Sequence, residues 1–217
     1  RDLVRSRGLG DVYKRQEVKR SIIAAGKQAY DSHLVSAAGG NISMRLGDRY
    51  FITATNAPLR SLMPEDILEV DIDGNVVGEN YGGKRPSKEA VLHLTVFKHR
   101  SDIDSVIHVH PVNSIVCSLA MPNDFPIVTV SAQKKVGKVG YIPFADPGSR
   151  ELVDGAVKAL TEGGDSVKTL IMEGHGIIVF DKGMEQCYER TELVDETARV
   201  GIYTKLVLAA KKVLGEE

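Results

Sequence analysis

His108-Val109-His110 closes a run rich in β-branched residues that begins at Ser105. Side chains alternate along a strand, so both imidazoles project from one face, within reach of a single metal ion. The pair alone is a weak signal, because histidines at this spacing also occur as hydrogen-bonded core or surface residues. His175 strengthens it. It stands in Glu173-Gly174-His175-Gly176 between two apolar runs, where flanking glycines let the backbone turn tightly and bring an imidazole into a cleft. The plainer alternative is a turn histidine facing solvent. Three neutral imidazoles would leave a zinc ion its full charge and an open position for a substrate oxygen, as a catalytic site requires. His33, His93 and His99 fall on helical patterns and read as structural or exposed; His93 is the exception to watch, one helical turn beyond Glu89.

Glu89 lies in Arg85-Pro86-Ser87-Lys88-Glu89, at the first turn of a predicted helix. Most glutamates there simply complement the helix dipole. Beside a metal such a residue can instead carry a proton, with burial raising its pKa toward neutrality. Gly39-Gly40-Asn41, Thr55-Asn56 and Ser87-Lys88 offer backbone N–H groups, hydroxyls, amides and a cation. These are the parts of a phosphate cradle, although each is also ordinary turn chemistry. The His-Glu-x-x-His helix of metalloproteases is missing. A cupin-type barrel would want many short strands and an acidic ligand soon after the His pair, whereas His110 is followed by Pro111 and a helical pattern. Cys117 and Cys187 sit in helix-like apolar stretches, which argues against a thiol nucleophile.

The elements that must position these groups follow from periodicity. Helices are predicted over 17–35, from an N-capping Ser87 to about 100, over 112–120 and 149–160, and as one or two over 184–214. Strands are predicted over 42–45, 50–54, 67–71, 105–110, 127–131, 167–172 and 177–180, with 76–77 completing a hairpin about Asp73-Gly74. Helices and strands intersperse without a repeating βαβ period, so the expected class is α/β or α+β with a mixed sheet, in one domain. Residues 1–16 (RDLVRSRGLGDVYKRQ) stand apart, rich in Arg and Lys with no sustained apolar period. We expect them to be a non-native or disordered segment ahead of a domain spanning 17–217.

Composition narrows the function classes. Of 217 residues, 42% are hydrophobic and 26% charged, enough for an ordinary core. Lys+Arg 28 against Asp+Glu 29 leaves no basic excess, so nucleic acid is not an expected partner. No apolar run approaches the roughly 20 residues of a membrane span, and no membrane partner is expected. The 2 Cys lie far apart and make no disulfide framework, which fits a reducing cytoplasm.

Taken in order, Gly-Gly-Asn-Ile-Ser at 39–43, Pro-Ser-Lys-Glu at 86–89, His-Val-His-Pro at 108–111, Pro-Phe-Ala-Asp-Pro-Gly-Ser at 143–149 and Glu-Gly-His-Gly at 173–176 resemble the class II aldolase/adducin-head family. The closest branch in these motifs is that of the L-fuculose-1-phosphate aldolases, over about residues 17 to 205. The resemblance implies a three-layer α/β/α domain around a mixed, largely antiparallel sheet, and a four-fold homotetramer with active sites between subunits. It implies Zn2+ held by His108, His110 and His175, with Glu89 as the catalytic acid–base. It places Gly40, Asn41, Thr55, Asn56, Ser87 and Lys88 around the phosphate of a small phosphorylated sugar. Two departures stand out. Lys88 replaces a serine of the aldolases and is similar to relatives that decarboxylate oxo-acid sugar phosphates, and Val130 stands where the aldolases carry a catalytic tyrosine. The implied activity is aldol cleavage of a phosphorylated ketose to dihydroxyacetone phosphate and an aldehyde. Its rivals are a sister decarboxylase, dehydratase or 4-epimerase, or a non-catalytic adducin-head-like interaction domain.

Overall fold

A computed structural model describes residues 2–215 apart from Asn123, with only the helical backbone described for residues 2–9. Seven strands form one sheet in the order β3-β2-β1-β4-β7-β6-β5. In chain order they are β1 (Asn41–Leu46), β2 (Arg49–Thr53), β3 (Ile67–Val70), β4 (Ser105–Val109), β5 (Gly140–Ile142), β6 (Thr169–Met172) and β7 (Gly176–Asp181). Every neighbouring pair is antiparallel except β5 with β6. The helices are α1 (Asp2–Asp31), α2 (Ala90–His99), α3 (Val112–Ala120), α4 (Val130–Lys135), α5 (Arg150–Gly163) and α6 (Met184–Leu214). One layer holds α1, α3, α4 and α6; the other holds α2 packed on α5. The result is the expected α/β/α sandwich.

Burial explains the layering. The strands β3, β4, β6 and β7 are buried along their whole length, as strands covered on both faces must be. The core of α1 begins at Val18 and continues through Ile22, Ala25 and Ala29, while residues 10–17 are exposed. At the opposite end, α6 buries Cys187, Val194 and Ala198, and its stretch beyond Ile202 is exposed. Among the described residues, no helix is long and apolar enough to cross a membrane.

The structure departs from the expected elements in places, and the 76–77 strand of the predicted hairpin is reduced to an isolated bridge between Val70 and Val76. The β-branched run at 127–131 is not a strand, because no strand lies beside it. Thr197 of α6 takes over instead: its Oγ1 donates to the Pro126 carbonyl at 3.0 Å and accepts from the Val128 N–H at 2.9 Å. Thr129 then N-caps α4 by accepting from the Ala132 N–H, so Val130 opens a helix and is exposed. The strand β5 escapes sequence reading because it is three residues long and starts with glycine. Ser87 is not the N-cap of α2; Glu89 is, with Ser87 Oγ accepting from the Glu89 N–H at 3.3 Å.

The far end of β7 from the predicted site is tied by charge. Asp181 accepts from Lys168 at 2.5 Å and from Arg190 at 2.6 Å, joining β7 to the start of β6 and to α6. Burial alone would raise this carboxyl, but the bonds from Lys168 and Arg190 outweigh it and hold the group below its usual range. Its stabilisation is therefore present above the unfolded pKa of about 4 and is lost as pH falls through the lower folded value. Asp181→Asn should cost about 3 kcal/mol in urea unfolding at pH 7. The gap from wild type should shrink at pH 3, and a gap independent of pH would contradict the assignment.

Candidate functional site

The sheet's centre delivers the site. His108 is the penultimate residue of β4 and pairs with Asn41 at the start of β1 and with Ile178 of β7. His110 follows just past the strand, its N–H donating to the Leu34 carbonyl at 3.1 Å. His175 sits in the tight turn between β6 and β7, where its N–H donates to the Met172 carbonyl at 3.1 Å. Glu89 arrives from the other direction, at the head of α2. One ligand atom from each of Glu89, His108, His110 and His175 lies within 4.8 Å of all the others. The sequence-predicted triad and its carboxylate are thus one cluster.

Tautomer logic shows what the cluster fits. His108 Nδ1 lies 2.9 Å from the Ile177 carbonyl oxygen, which only accepts, so Nδ1 carries the proton and Nε2 presents a lone pair. That lone pair faces Glu89 Oε2 at 3.1 Å and His110 Nε2 at 2.9 Å. His175 Nε2 lies 3.4 Å from Glu89 Oε1. Glu89 Oε1 is buried without a hydrogen-bond partner, as is His175 Nδ1. A hydrogen on His110 Nε2 can meet one of these contacts, but the orphaned Glu89 Oε1 and His175 Nδ1 and the ionised carboxylate beside the His108 lone pair are what a bound cation would satisfy. Three imidazole nitrogens and one carboxylate oxygen suit a divalent first-row metal, and the Ile177 carbonyl supplies the usual outer hydrogen bond that fixes a ligating ring. The donor set fits.

The protonation states agree. Desolvation first, reinforced by any positive charge at His108 and His175, pushes His110 down to about 3, so its ring is neutral and available at ordinary pH. His175 is lowered by the same causes, burial and His108. Glu89 corrects an expectation. Burial acts to raise its pKa, but positive charge held among the rings that face it, at His108 and then His175, together with the Asn41 bond outweighs burial and holds the carboxyl well below its usual range. Both thiols are buried, with Cys117 pushed up to about 11 by desolvation, which removes them as nucleophiles.

Close backbone approach makes glycine necessary at two places. A Cβ on Gly176 would lie 2.4 Å from the Val109 carbonyl oxygen and 3.0 Å from His110 Cδ2. Gly40, at φ +79°, sits where a Cβ would come 2.8 Å from the His108 carbonyl. Gly40 therefore packs the base of the histidine strand, whatever else it does.

The proposed cradles adjoin one another. Ala54 bridges to Pro86, the Thr55 N–H donates to the Arg85 carbonyl at 2.9 Å and the Ser87 N–H to the Thr53 carbonyl at 3.1 Å. This sets Thr55-Asn56 beside Ser87-Lys88, next to the start of β1. Asn56 adopts φ 59° and, like Lys88, is exposed. Asn41 is different: it is buried, and its Nδ2 donates to Glu89 Oε2 at 2.9 Å. Sequence reasoning saw it as a phosphate contact and missed its grip on the carboxylate. The available signal was strand alternation, which puts Asn41 on the face of Ser43 and toward α2.

Fold and cluster together define a metal-site α/β/α protein of the class II aldolase type. The chain belongs to the class II aldolase and adducin N-terminal domain family, whose pattern it matches over residues 20–202. It is 30% identical over 189 residues to the L-fuculose phosphate aldolase of Methanocaldococcus jannaschii, covering 87% of this chain and 98% of that one. It is 28% identical to the 3-oxo-tetronate 4-phosphate decarboxylase of Haemophilus influenzae, covering 84% of this chain and 85% of that one. A solved structure of an L-fuculose 1-phosphate aldolase superposes with a TM-score of 0.74 at 27% identity, covering 88% of this chain and 87% of that one.

His110→Ala should no longer retain one equivalent of Zn2+ after gel filtration, measured by elemental analysis. Gly176→Ala, which displaces His110 without removing it, should weaken Zn2+ affinity about tenfold in chelator competition. Unchanged affinity in both would contradict the cluster's role.

Proposed function

We propose that the chain is a zinc-dependent aldolase that reversibly cleaves a phosphorylated ketose of the L-fuculose 1-phosphate kind to dihydroxyacetone phosphate and an aldehyde. The observation that carries this reading is the convergence of His108, His110, His175 and Glu89 beside three adjoining phosphate-cradle segments. His108, His110 and His175 would hold the metal, and an imidazole-dominated donor set suits zinc, as it does other first-row divalent ions. When bound, it supplies a Lewis acid that polarises a carbonyl and stabilises negative charge on oxygen.

The protein's own groups do the rest. Glu89 Oε2 accepts from Asn41, which leaves Oε1, without a hydrogen-bond partner, as the oxygen that takes and returns a proton. In the condensation direction the Glu89 carboxylate takes the proton from the carbon beside the carbonyl of dihydroxyacetone phosphate; in cleavage the broken C–C bond leaves its electron pair on that carbon, and Glu89, having first taken up a proton from solvent, returns it there. Thr55, Asn56, Ser87, Lys88 and the Gly40 backbone would hold the phosphate and so fix which carbon faces Glu89. Asn41 gives one amide N–H to the carboxylate and keeps a second donor for that phosphate. The hydroxyl proton lost on the aldehyde side leaves through another group, because Val130 is an exposed aliphatic residue at the head of α4.

Lys88 supports the second reading, a sugar-phosphate decarboxylase: it is an exposed cation one residue from Glu89, placed to meet a substrate carboxylate. We further propose a homotetramer with active sites between subunits, working in a reducing cytoplasm. The apolar residues Tyr203, Leu206 and Val207, left uncovered on α6 in the single chain, support the assembly.

Zinc-loaded protein should release dihydroxyacetone phosphate from L-fuculose 1-phosphate in a coupled reductase assay. Glu89→Gln should lower kcat by about a hundredfold or more, within the range general acid–base groups contribute. Normal turnover in that variant would overturn Glu89's role; no release by wild type, with carbon dioxide released from an oxo-acid sugar phosphate instead, would move the assignment to the decarboxylase.

A further inference from the structure

One fully buried titratable side chain near the cluster is not used by the chemistry above: His93, on α2. Its Nδ1 lies 2.7 Å from Ser43 Oγ, and its Nε2 has no partner. Its chain neighbours Leu92 and Leu94 are also buried, and an aliphatic residue would fill this position without the cost of desolvating a ring. Desolvation, helped by the charge at His108, pushes the imidazole down to about 3, so it sits there neutral.

Its one side-chain bond goes to the strand that also carries Asn41. Asn41 and Ser43 are two residues apart on β1, hence on one face and about 6.7 Å apart along the strand. Glu89 and His93 are four apart, the helical repeat that aligns side chains, with a rise of about 6 Å. The two spacings agree to within about 1 Å, so Asn41–Glu89 and Ser43–His93 form two rungs of one ladder between β1 and the start of α2. The need for a second rung is visible at Glu89 itself. It is an N-cap with φ −95° and ψ 10°, and α2 has no side-chain cap bond there. The last groups to order in a helix are those of its first turn.

We infer that His93, through Ser43, is a positioning residue for Glu89, clamping α2 to β1 so that the carboxylate stays at the metal cluster. The inference rests on the reading of Glu89 as the proton carrier beside a bound metal. It assigns His93 no contact with substrate.

The test uses Ser43→Ala and His93→Leu, which remove the rung, and His93→Asn, whose side-chain amide can again reach Ser43. Two readouts are taken on metal-loaded protein: steady-state aldol cleavage, and the visible absorption of the Co2+-substituted site. Ser43→Ala and His93→Leu should each lower kcat about tenfold or more with KM within about twofold, the signature of a misplaced catalytic group. Their Co2+ spectra should shift toward that of Glu89→Gln, and His93→Asn should recover most of both properties. The double variant should be no worse than His93→Leu alone, because the two residues act through one bond. Unchanged kcat and an unchanged Co2+ spectrum in Ser43→Ala would overturn the inference, as would a loss of thermal stability with both readouts intact. If His93→Leu fails to fold, Ser43→Ala decides alone. If wild type cleaves no phosphorylated ketose, the aldolase reading falls, and the Co2+ spectra still decide whether the rung holds Glu89.

Discussion

Four electron-pair donors pointing at one another is an arrangement that a protein does not hold without cause. The lone pair on His108 Nε2, fixed by the proton that Nδ1 gives to the Ile177 carbonyl, faces a second imidazole and an ionised carboxylate at close to 3 Å. A cation among them satisfies all four at once, and much of the fold reads as the means of keeping the four in place. The central strand β4 supplies two donors. Its neighbour β7 supplies both the fixing carbonyl and, through the preceding turn, the third imidazole. The strand on its other side, β1, supplies the amide that grips the fourth.

This constraint also explains where the chain tolerates no bulk. Gly40 and Gly176 press on the backbone of the histidine strand from opposite neighbours, at distances no Cβ could share. Away from the site, the sheet is held by ordinary means. Residues such as Phe51, Ile107, Leu170 and Phe180 are fully buried between helical layers, and Asp181 ties the distal end by charge. The metal cluster therefore sits at one end of the sheet, with the carboxylate proposed as proton carrier at the head of a separate helix that is tied to that sheet by polar bonds.

Much of this was legible in the sequence because the relevant signals are local. Strand alternation places His108 and His110 on one side, and the glycines about His175 announce a turn. What was not legible depends on partners distant in sequence. The run at 127–131 has the residues of a strand, yet its backbone finds Thr197 on α6 rather than another strand. The bond from Asn41 to Glu89, 48 positions on, likewise joins residues that no local pattern pairs. The pKa of Glu89 follows the same logic: burial is inferable from a helix start, but the groups that reverse its effect come from other elements. Composition gave no hint that His93 and Ser43 would meet.

The central claim is that these four side chains form a single divalent-metal site. X-ray absorption at the zinc edge of the stoichiometrically loaded protein tests it most directly. The account predicts scattering from nitrogen and oxygen only, at about 2.0–2.1 Å, with the multiple-scattering pattern of three imidazoles. Sulfur in the shell, or fewer than three imidazoles, would contradict it.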